Sequence, residues 1–314
     1  MRSSDASCWQ RMLASIREAD GTFWESFTEE ELLEDFSDPL MDFEKGSIGA
    51  FDGEEMAAYA TLIPRPRADP VHEMRFDGGV HPRYRRNGLG HRLLDWVEKE
   101  SVVLHCQRFP GRPLELSGSS PTTNTAAISL IEGRGYRPVR WFNGMVVDLS
   151  KPLIESPPVE GCLIASWSPD HAMDALSIRN EAFRDHRGST ETTPEVWAHS
   201  LATAGFRPEF SFVAFCDGEA AGFLTACEYE MDPKIGRDLY ISLVGTRRAH
   251  RKKGIATALV TTVLKAAKEA GFAIASLEVD AESPTGALAV YERIGFKLDH
   301  RSVTMNKEVL TGEG

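Results

Sequence analysis

Residues 85–90 read RRNGLG and residues 251–256 read RKKGIA, and this recurrence constrains the fold of the 314-residue chain more than any other feature. Each copy follows a strand-like run, EMRFDGGV or DLYISLVG, and opens a helix-like one, GLGHRLLDWVEKE or GIATALVTTVLKAAKEAG. In the second, Ile255, Leu259, Val263 and Ala267 recur every fourth residue, the spacing of one buried helix face, and Gly271 closes the run. Further on, each copy has a short helix signal ending in Gly135-Tyr136 or Gly295-Phe296. Arg85, Gly88 and Gly90 thus match Arg251, Gly254 and Ala256. An internal duplication of this kind predicts two units of one fold.

Between the copies lies DLSKPLIESPPVEGC, residues 148–162, whose Pro152, Pro157 and Pro158 interrupt both helix and strand patterns. The predicted organisation is a domain over 1–150, a linker over 151–160 and a second domain over 161–314, each half near the usual domain size. Strand pairs are predicted across Asp52-Gly53 and Asp217-Gly218, further strands in PLELS and IASLEV, and a short helix over 283–295 with Ser283 as cap and Pro284 as first residue. Strands alternating with helices predict the α/β class, with a mixed sheet in each half. The opening residues lack a strand signal, and SCWQRMLASIREA and TEEELLEDF predict helices.

The turn itself is an anion site. A strand leading into a helix at Gly254 leaves several amide N–H groups without partners, beside a helix dipole worth roughly half a positive charge. Gly254 lets a ligand approach the backbone, and Arg247, Arg248, Arg251, Lys252 and Lys253 add local positive charge. The chain as a whole carries −12, which excludes general binding to nucleic acid or anionic membrane. Neither copy is a nucleotide P-loop or a dinucleotide-binding Gly-x-Gly-x-x-Gly turn. Five scattered cysteines without CxxC spacing predict free thiols, and the charged N-terminus has no apolar core of a signal peptide, so the expected location is the cytoplasm. His186 has no partner at metal-ligand spacing, and no metal is expected.

Arg-x-x-Gly-x-Gly/Ala between a strand and a helix, followed by LAVYERIGF, resembles the signature of the GNAT superfamily of N-acetyltransferases. The resemblance covers most of residues 165–306 and, more loosely, about 45–148, and the tandem arrangement is similar to the actinobacterial mycothiol synthase group. It implies two tandem GNAT domains and acetyl-CoA, or another short acyl-CoA, as the acyl donor. The coenzyme would lie on Arg85, Arg86, Asn87, Gly88, Leu89 and Gly90 in one copy and on Arg251, Lys252, Lys253, Gly254, Ile255 and Ala256 in the other, with Asn124 and Ser283 beside its pantetheine arm.

The resemblance also implies roles for single residues. A backbone N–H on the splayed strand would polarise the thioester carbonyl, at Val244 in the second copy and Val80 in the first. Tyr291 would protonate the departing thiolate, whereas the equivalent Ile131 has no proton to donate; the alternative for Tyr291 is an apolar core position. Strand alternation places Asp238, Tyr240, Ser242 and Val244 on one face, so Asp238 is either the base for the amine or a solvated strand-end carboxylate; Met74 stands at the corresponding distance in the first copy. Asn180, Glu181, Asp185 and His186 are candidates for holding the acceptor, or simply polar residues at a helix end. The expected activity is N-acetylation of a small-molecule primary amine in the second domain, by a monomer or homodimer, with a degenerate first domain. A non-catalytic acyl-CoA sensor is the rival reading, and aminoglycoside or peptide amines are rival acceptors.

Overall fold

The computed structural model describes residues 1–21, 28–68, 70–184, 190–229, 236–283 and 285–309. The chain forms two compact units, Met1–Trp141 with Ser302–Gly314, and Phe142–Arg301.

The first unit begins with helices, as its sequence predicts: α1 (Ala6–Asp20), α2 (Glu29–Asp35) and α3 (Phe43–Gly46). Thr28 starts α2 through a capping box, its hydroxyl accepting from Glu31 N–H while Glu31 accepts from Thr28 N–H. There follow β1 (Ser47–Asp52), β2 (Glu55–Ala68), β3 (His72–Val80), α4 (Leu89–Arg108), β4 (Leu114–Pro121), α5 (Thr125–Glu132) and β5 (Arg137–Asp148). Strands β1, β2 and β3 are antiparallel neighbours, β3 and β4 are parallel, and residues 302–309 pair antiparallel with β4. One sheet face packs on α4 through Leu62, Met74, Leu94, Leu116 and Tyr136; a second cluster joins Trp9, Met12, Leu32 and Tyr59.

The second unit contains β6 (Cys162–Ser166), α6 (Ala172–Ala182), α7 (Pro194–Ala202), β7 (Phe212–Cys216), β8 (Glu219–Cys227), β9 (Asp238–Thr246), α8 (Ile255–Glu269), β10 (Ile274–Asp280), α9 (Ala287–Ile294) and the start of β11 (Lys297–Val309). Its sheet runs β6, β7, β8, β9, β10 and then residues 142–148 of β5, with β9 and β10 parallel and the other pairs antiparallel. The predicted stripe Ile255, Leu259, Val263 and Ala267 is buried against this sheet with Leu224, Leu239 and Leu277. Each unit's sheet therefore includes a strand reaching it from the other half of the chain, because β5 and β11 both cross the division.

The expectation of five free thiols is corrected at two positions. Cys162 and Cys216 face one another across β6 and β7, with Cα atoms 4.0 Å apart, and are joined by a disulfide. They are separated by 54 residues, and only the strand register brings them together. Cys8, Cys106 and Cys227 are free. Among the described residues no helix is long and apolar enough to cross a membrane.

In both units the parallel pair opens like a wedge. β9 and β10 are paired only as far as Ile241 and Leu277, although β9 continues to Thr246 and β10 to Asp280. β3 and β4 are paired as far as Phe76 and Gly118, and β3 continues to Val80.

Candidate active site

The wedge of the second unit leads into a cavity of about 1070 Å³. Its walls are the free edge of β9 from Ser242 to Thr246, the end of β10, the turn Arg251–Ala256, the α9 residue Tyr291 and the proline-rich residues 154–160. Val244, Ser283 and all six turn residues named from the sequence line it, as does Tyr291.

The turn has the same backbone in both units. Arg247 N–H donates to Ala221 O and His81 N–H to Ala57 O, both at 2.9 Å, and each is followed by a short 3-10 turn. Lys252 and Arg86 then take φ of +63° and +66°, and Gly254 and Gly88 take +86° and +79° as they start α8 and α4. The first backbone bond of α8 runs from Ala258 N–H to Gly254 O, so Ile255, Ala256 and Thr257 present amides with no helical acceptor.

Not every nearby arginine serves this site. Glu181, expected to hold the acceptor, instead braces the turn: its carboxylate accepts from Arg247 Nη1 and from Arg248 N–H, both at 2.8 Å. Arg251 donates to Ala182 O at 3.0 Å. Asn180, the second expected acceptor contact, is occupied with Thr192, donating to its carbonyl at 3.0 Å and accepting from its N–H at 2.9 Å. Asp185 and His186 lie outside the described residues. Lys252 and Lys253 make no ion pair among the described residues and line the cavity. In the first unit Arg85 is forked onto Asp20 at 2.6 and 2.9 Å, which neutralises the charge of that arginine.

The ladder register also assigns the strand-edge amides. Arg247 N–H donates to Ala221 O and Gly245 pairs two residues back with Phe223, so Gly245 faces β8 as well, and Val244 with both backbone groups and Thr246 with its N–H turn toward the open wedge. By the same count His81 corresponds to Arg247. Val80, expected to match Val244, is therefore the counterpart of Thr246, and Gly78 is the counterpart of Val244. The position is set by the hydrogen bonds to β2 and β8.

A β-bulge overturns the expected grouping of Asp238 with Val244. Thr225 pairs with Leu243 but Ala226 with Ile241, so Ser242 is an extra residue in β9 and the side-chain alternation reverses across it. Leu239, Ile241 and Val244 pack on the α8 side, and Asp238, Tyr240 and Ser242 lie on the other. β3 has no bulge here, which makes Glu73 the counterpart of Asp238 and Met74 that of Leu239.

Asp238 is buried, does not line the cavity, and accepts from Ser276 Oγ at 2.6 Å. Burial, with a smaller contribution from Asp299, pushes its pKa up to about 6 against the opposing Ser276 bond. The folded value lies above the unfolded one, so the folded chain holds an extra proton between about pH 4 and 6. Stability is lost as pH rises through that window. Asp238→Asn is expected to be more stable than wild type at pH 7, by at most about 3 kcal/mol, with the gain vanishing below about pH 4. Urea titrations at the two pH values measure this.

Tyr291 is buried beside Phe296, their rings meeting edge to face, and burial pushes its pKa up to about 12. Among the described residues nothing accepts from its hydroxyl. Phe296 N–H donates to Tyr291 O at 3.1 Å and Tyr136 N–H to Ile131 O at 3.4 Å, which identifies Ile131 as the counterpart of Tyr291. The expected cap at Ser283 is displaced: α9 is capped by Gly286, and the Ser283 hydroxyl pairs with Thr285 at 2.8 Å. Pro284 lies outside the described residues. Asn124 does cap α5, accepting from Ala127 N–H at 3.1 Å.

Two features were not found from the sequence. Glu278, the residue of β10 just past the last parallel pair, lines the cavity on the sheet face of Ser276 and Asp238. The proline-rich segment also lines the cavity, ahead of β6. The strand containing Glu278 was legible, but the point at which β9 leaves it is a property of the pairing.

A sequence profile described as "Acetyltransferase (GNAT) family" matches residues 9–136 and 174–296. The mycothiol acetyltransferase of Salinispora arenicola is 29% identical over 288 residues, covering 89% of this chain and 85% of its own. That of Thermobispora bispora is 29% identical over 248 residues, 78% of each chain. Among solved structures, a GCN5-related N-acetyltransferase from Sphaerobacter thermophilus aligns with a TM-score of 0.76 and 29% identity, over 98% of this chain and 94% of its own. A tandem GNAT protein from the clavulanic acid biosynthesis pathway shares the fold, with a TM-score of 0.71 at 15% identity over 100% of this chain and 98% of its own.

Proposed function

Because the chain belongs to the GNAT family of acetyltransferases, we propose that it transfers acetyl from acetyl-CoA to the primary amine of a small molecule, with the chemistry confined to the Phe142–Arg301 unit. The observation that carries this reading is a cavity lined together by the first amides of α8, Lys252 and Lys253, the open edge at Val244, and Tyr291.

Those residues suit an acyl-CoA. A pyrophosphate needs donors that have no other acceptor, which among the described residues the start of α8 and the two lysines supply. The pantetheine amides need a free strand edge, which Val244 supplies. When bound, the coenzyme contributes an activated acetyl thioester. Val244 N–H is directed into the wedge, where it stabilises negative charge developing on the carbonyl oxygen. Glu278 takes the role that Asp238 was expected to fill, accepting the proton of the incoming ammonium at a carboxylate oxygen. Tyr291 holds a proton at Oη for the departing sulfur.

The first unit is proposed to be degenerate. Its turn keeps the backbone of a pyrophosphate cradle, but Arg85 is neutralised by Asp20 and Ile131 replaces the proton donor.

The named relatives make deacetylated mycothiol the first acceptor to try, followed by other cysteinyl and sugar amines, aminoglycosides and peptide amines. The test is mass spectrometry of each amine after incubation with acetyl-CoA and the full chain. Gain of one acetyl group on an amine is the expected result. Stoichiometric acetyl-CoA binding with no acetylated amine across the panel would make the chain a sensor and overturn the proposal.

A further inference from the structure

The sheet face opposite α8 carries Glu278 on β10, and the start of β11 places a histidine beside it. His300 Nε2 lies 3.8 Å from Glu278 Oε1, and its Nδ1 lies 3.0 Å from Asp299 Oδ2. The ring occupies the space above Gly144, and a Cβ added to that glycine would fall within it. Gly144 is the ladder partner of Glu278 on the neighbouring strand β5. The missing side chain at 144 is therefore what lets the imidazole sit next to the carboxylate.

Glu278 needs such a support. It is the first residue of β10 beyond the last pair with β9, so on that side the strand has lost its neighbour. Its side chain is 43% exposed, and an unrestrained glutamate samples several rotamers. His300 is only 18% exposed, does not line the cavity, and can act on a reaction there only through Glu278.

We infer that His300, seated on Gly144, is a positioning residue that holds the Glu278 carboxylate in the orientation from which it meets the acceptor amine. This rests on the reading of Glu278 as the proton acceptor in acetyl transfer. The charged and titratable groups on this face are Glu278 from β10, Asp299 from β11, and Asp238 and Tyr240 from β9. Burial by itself lowers the His300 pKa, but the charge of Glu278 and the hydrogen bond and charge of Asp299 outweigh it, so the ring is more readily protonated than an ordinary histidine. An imidazolium between two carboxylates is an ionic clamp on the more mobile one.

Two measurements on the full-length chain test this. In ¹⁵N-histidine-labelled protein, the His300 signals, assigned by their loss in His300→Gln, should titrate above the ordinary histidine value and move downward in Glu278→Gln. A His300 titration unmoved by Glu278→Gln overturns the pairing whatever the acceptor amine. In acetylation of deacetylated mycothiol, His300→Phe should lower kcat/KM for the amine roughly tenfold or more and leave KM for acetyl-CoA unchanged. His300→Gln, which retains a donor, should recover much of the loss. Gly144→Ala should reproduce the His300→Phe defect, and the double variant should be no worse than His300→Phe alone. If Glu278→Gln is impaired and His300→Phe is not, the positioning role falls and the proton acceptor stands. If Glu278→Gln is unimpaired, both fall.

Discussion

Tyr291→Phe is expected to lower kcat for acetyl transfer by about 10²- to 10⁴-fold, the usual contribution of a general acid, and to leave acetyl-CoA affinity within roughly twofold. The substitution removes one oxygen and keeps the ring that packs on Phe296, so the fold and the cavity wall are preserved. A tyrosine near 12 is a weak donor beside a free thiol of about 8.5. The burial that raises the phenol also raises the proton affinity of a thiolate released in the same cavity, so donor and acceptor shift together. The elevated value keeps Tyr291 protonated throughout the neutral range. Stopped-flow thiol release together with calorimetry of acetyl-CoA binding separates the two parameters. Unchanged kcat in a folded Tyr291→Phe variant removes the tyrosine from the mechanism, and the complementary Ile131→Phe in the first unit should change neither quantity.

The second large effect should distinguish the two turns. Gly254→Val and Gly88→Val impose the same strain, since both glycines have left-handed φ, at a cost of roughly 1–2 kcal/mol each. Gly254 lines the cavity wall, where an added Cβ would stand 3.7 Å from Val159 and a branched side chain would crowd the path to the α8 amides. Acetyl-CoA KM should therefore rise about tenfold or more for Gly254→Val, whereas Gly88→Val should lose similar thermal stability and little activity. Equal losses of activity would assign a working coenzyme site to the first unit as well.

Much of this protein was legible because its signals are local. The four-residue spacing from Ile255 to Ala267 marks a helix face wherever the helix packs, and the left-handed start of α8 falls on the glycine of the turn Arg251–Ala256. The match of Ile131 to Tyr291 needed only the distance to a Gly-aromatic pair, and the i to i+5 hydrogen bond reproduces it.

The regroupings at Asp238, Val80, Met74 and Glu181 share a different cause. One extra residue at Ser242 reverses every side chain before it, and no residue type announces such a bulge. Val80 and Val244 look alike, but only the bonds to Ala57 and Ala221 number the strands. Glu181 sits 66 residues from the arginine that claims it, just as Cys162 sits 54 from Cys216.

The sequence by itself thus determined the duplication, the α/β class, the helix faces and the paired strand-to-helix turns, because each follows from the spacing of a few neighbouring residues. Only the tertiary structure decided which strands complete each sheet, where β9 parts from β10, and which carboxylate reaches the cavity. These depend on hydrogen-bond registers between segments far apart in the chain, where a shift of one residue moves a side chain to the opposite face.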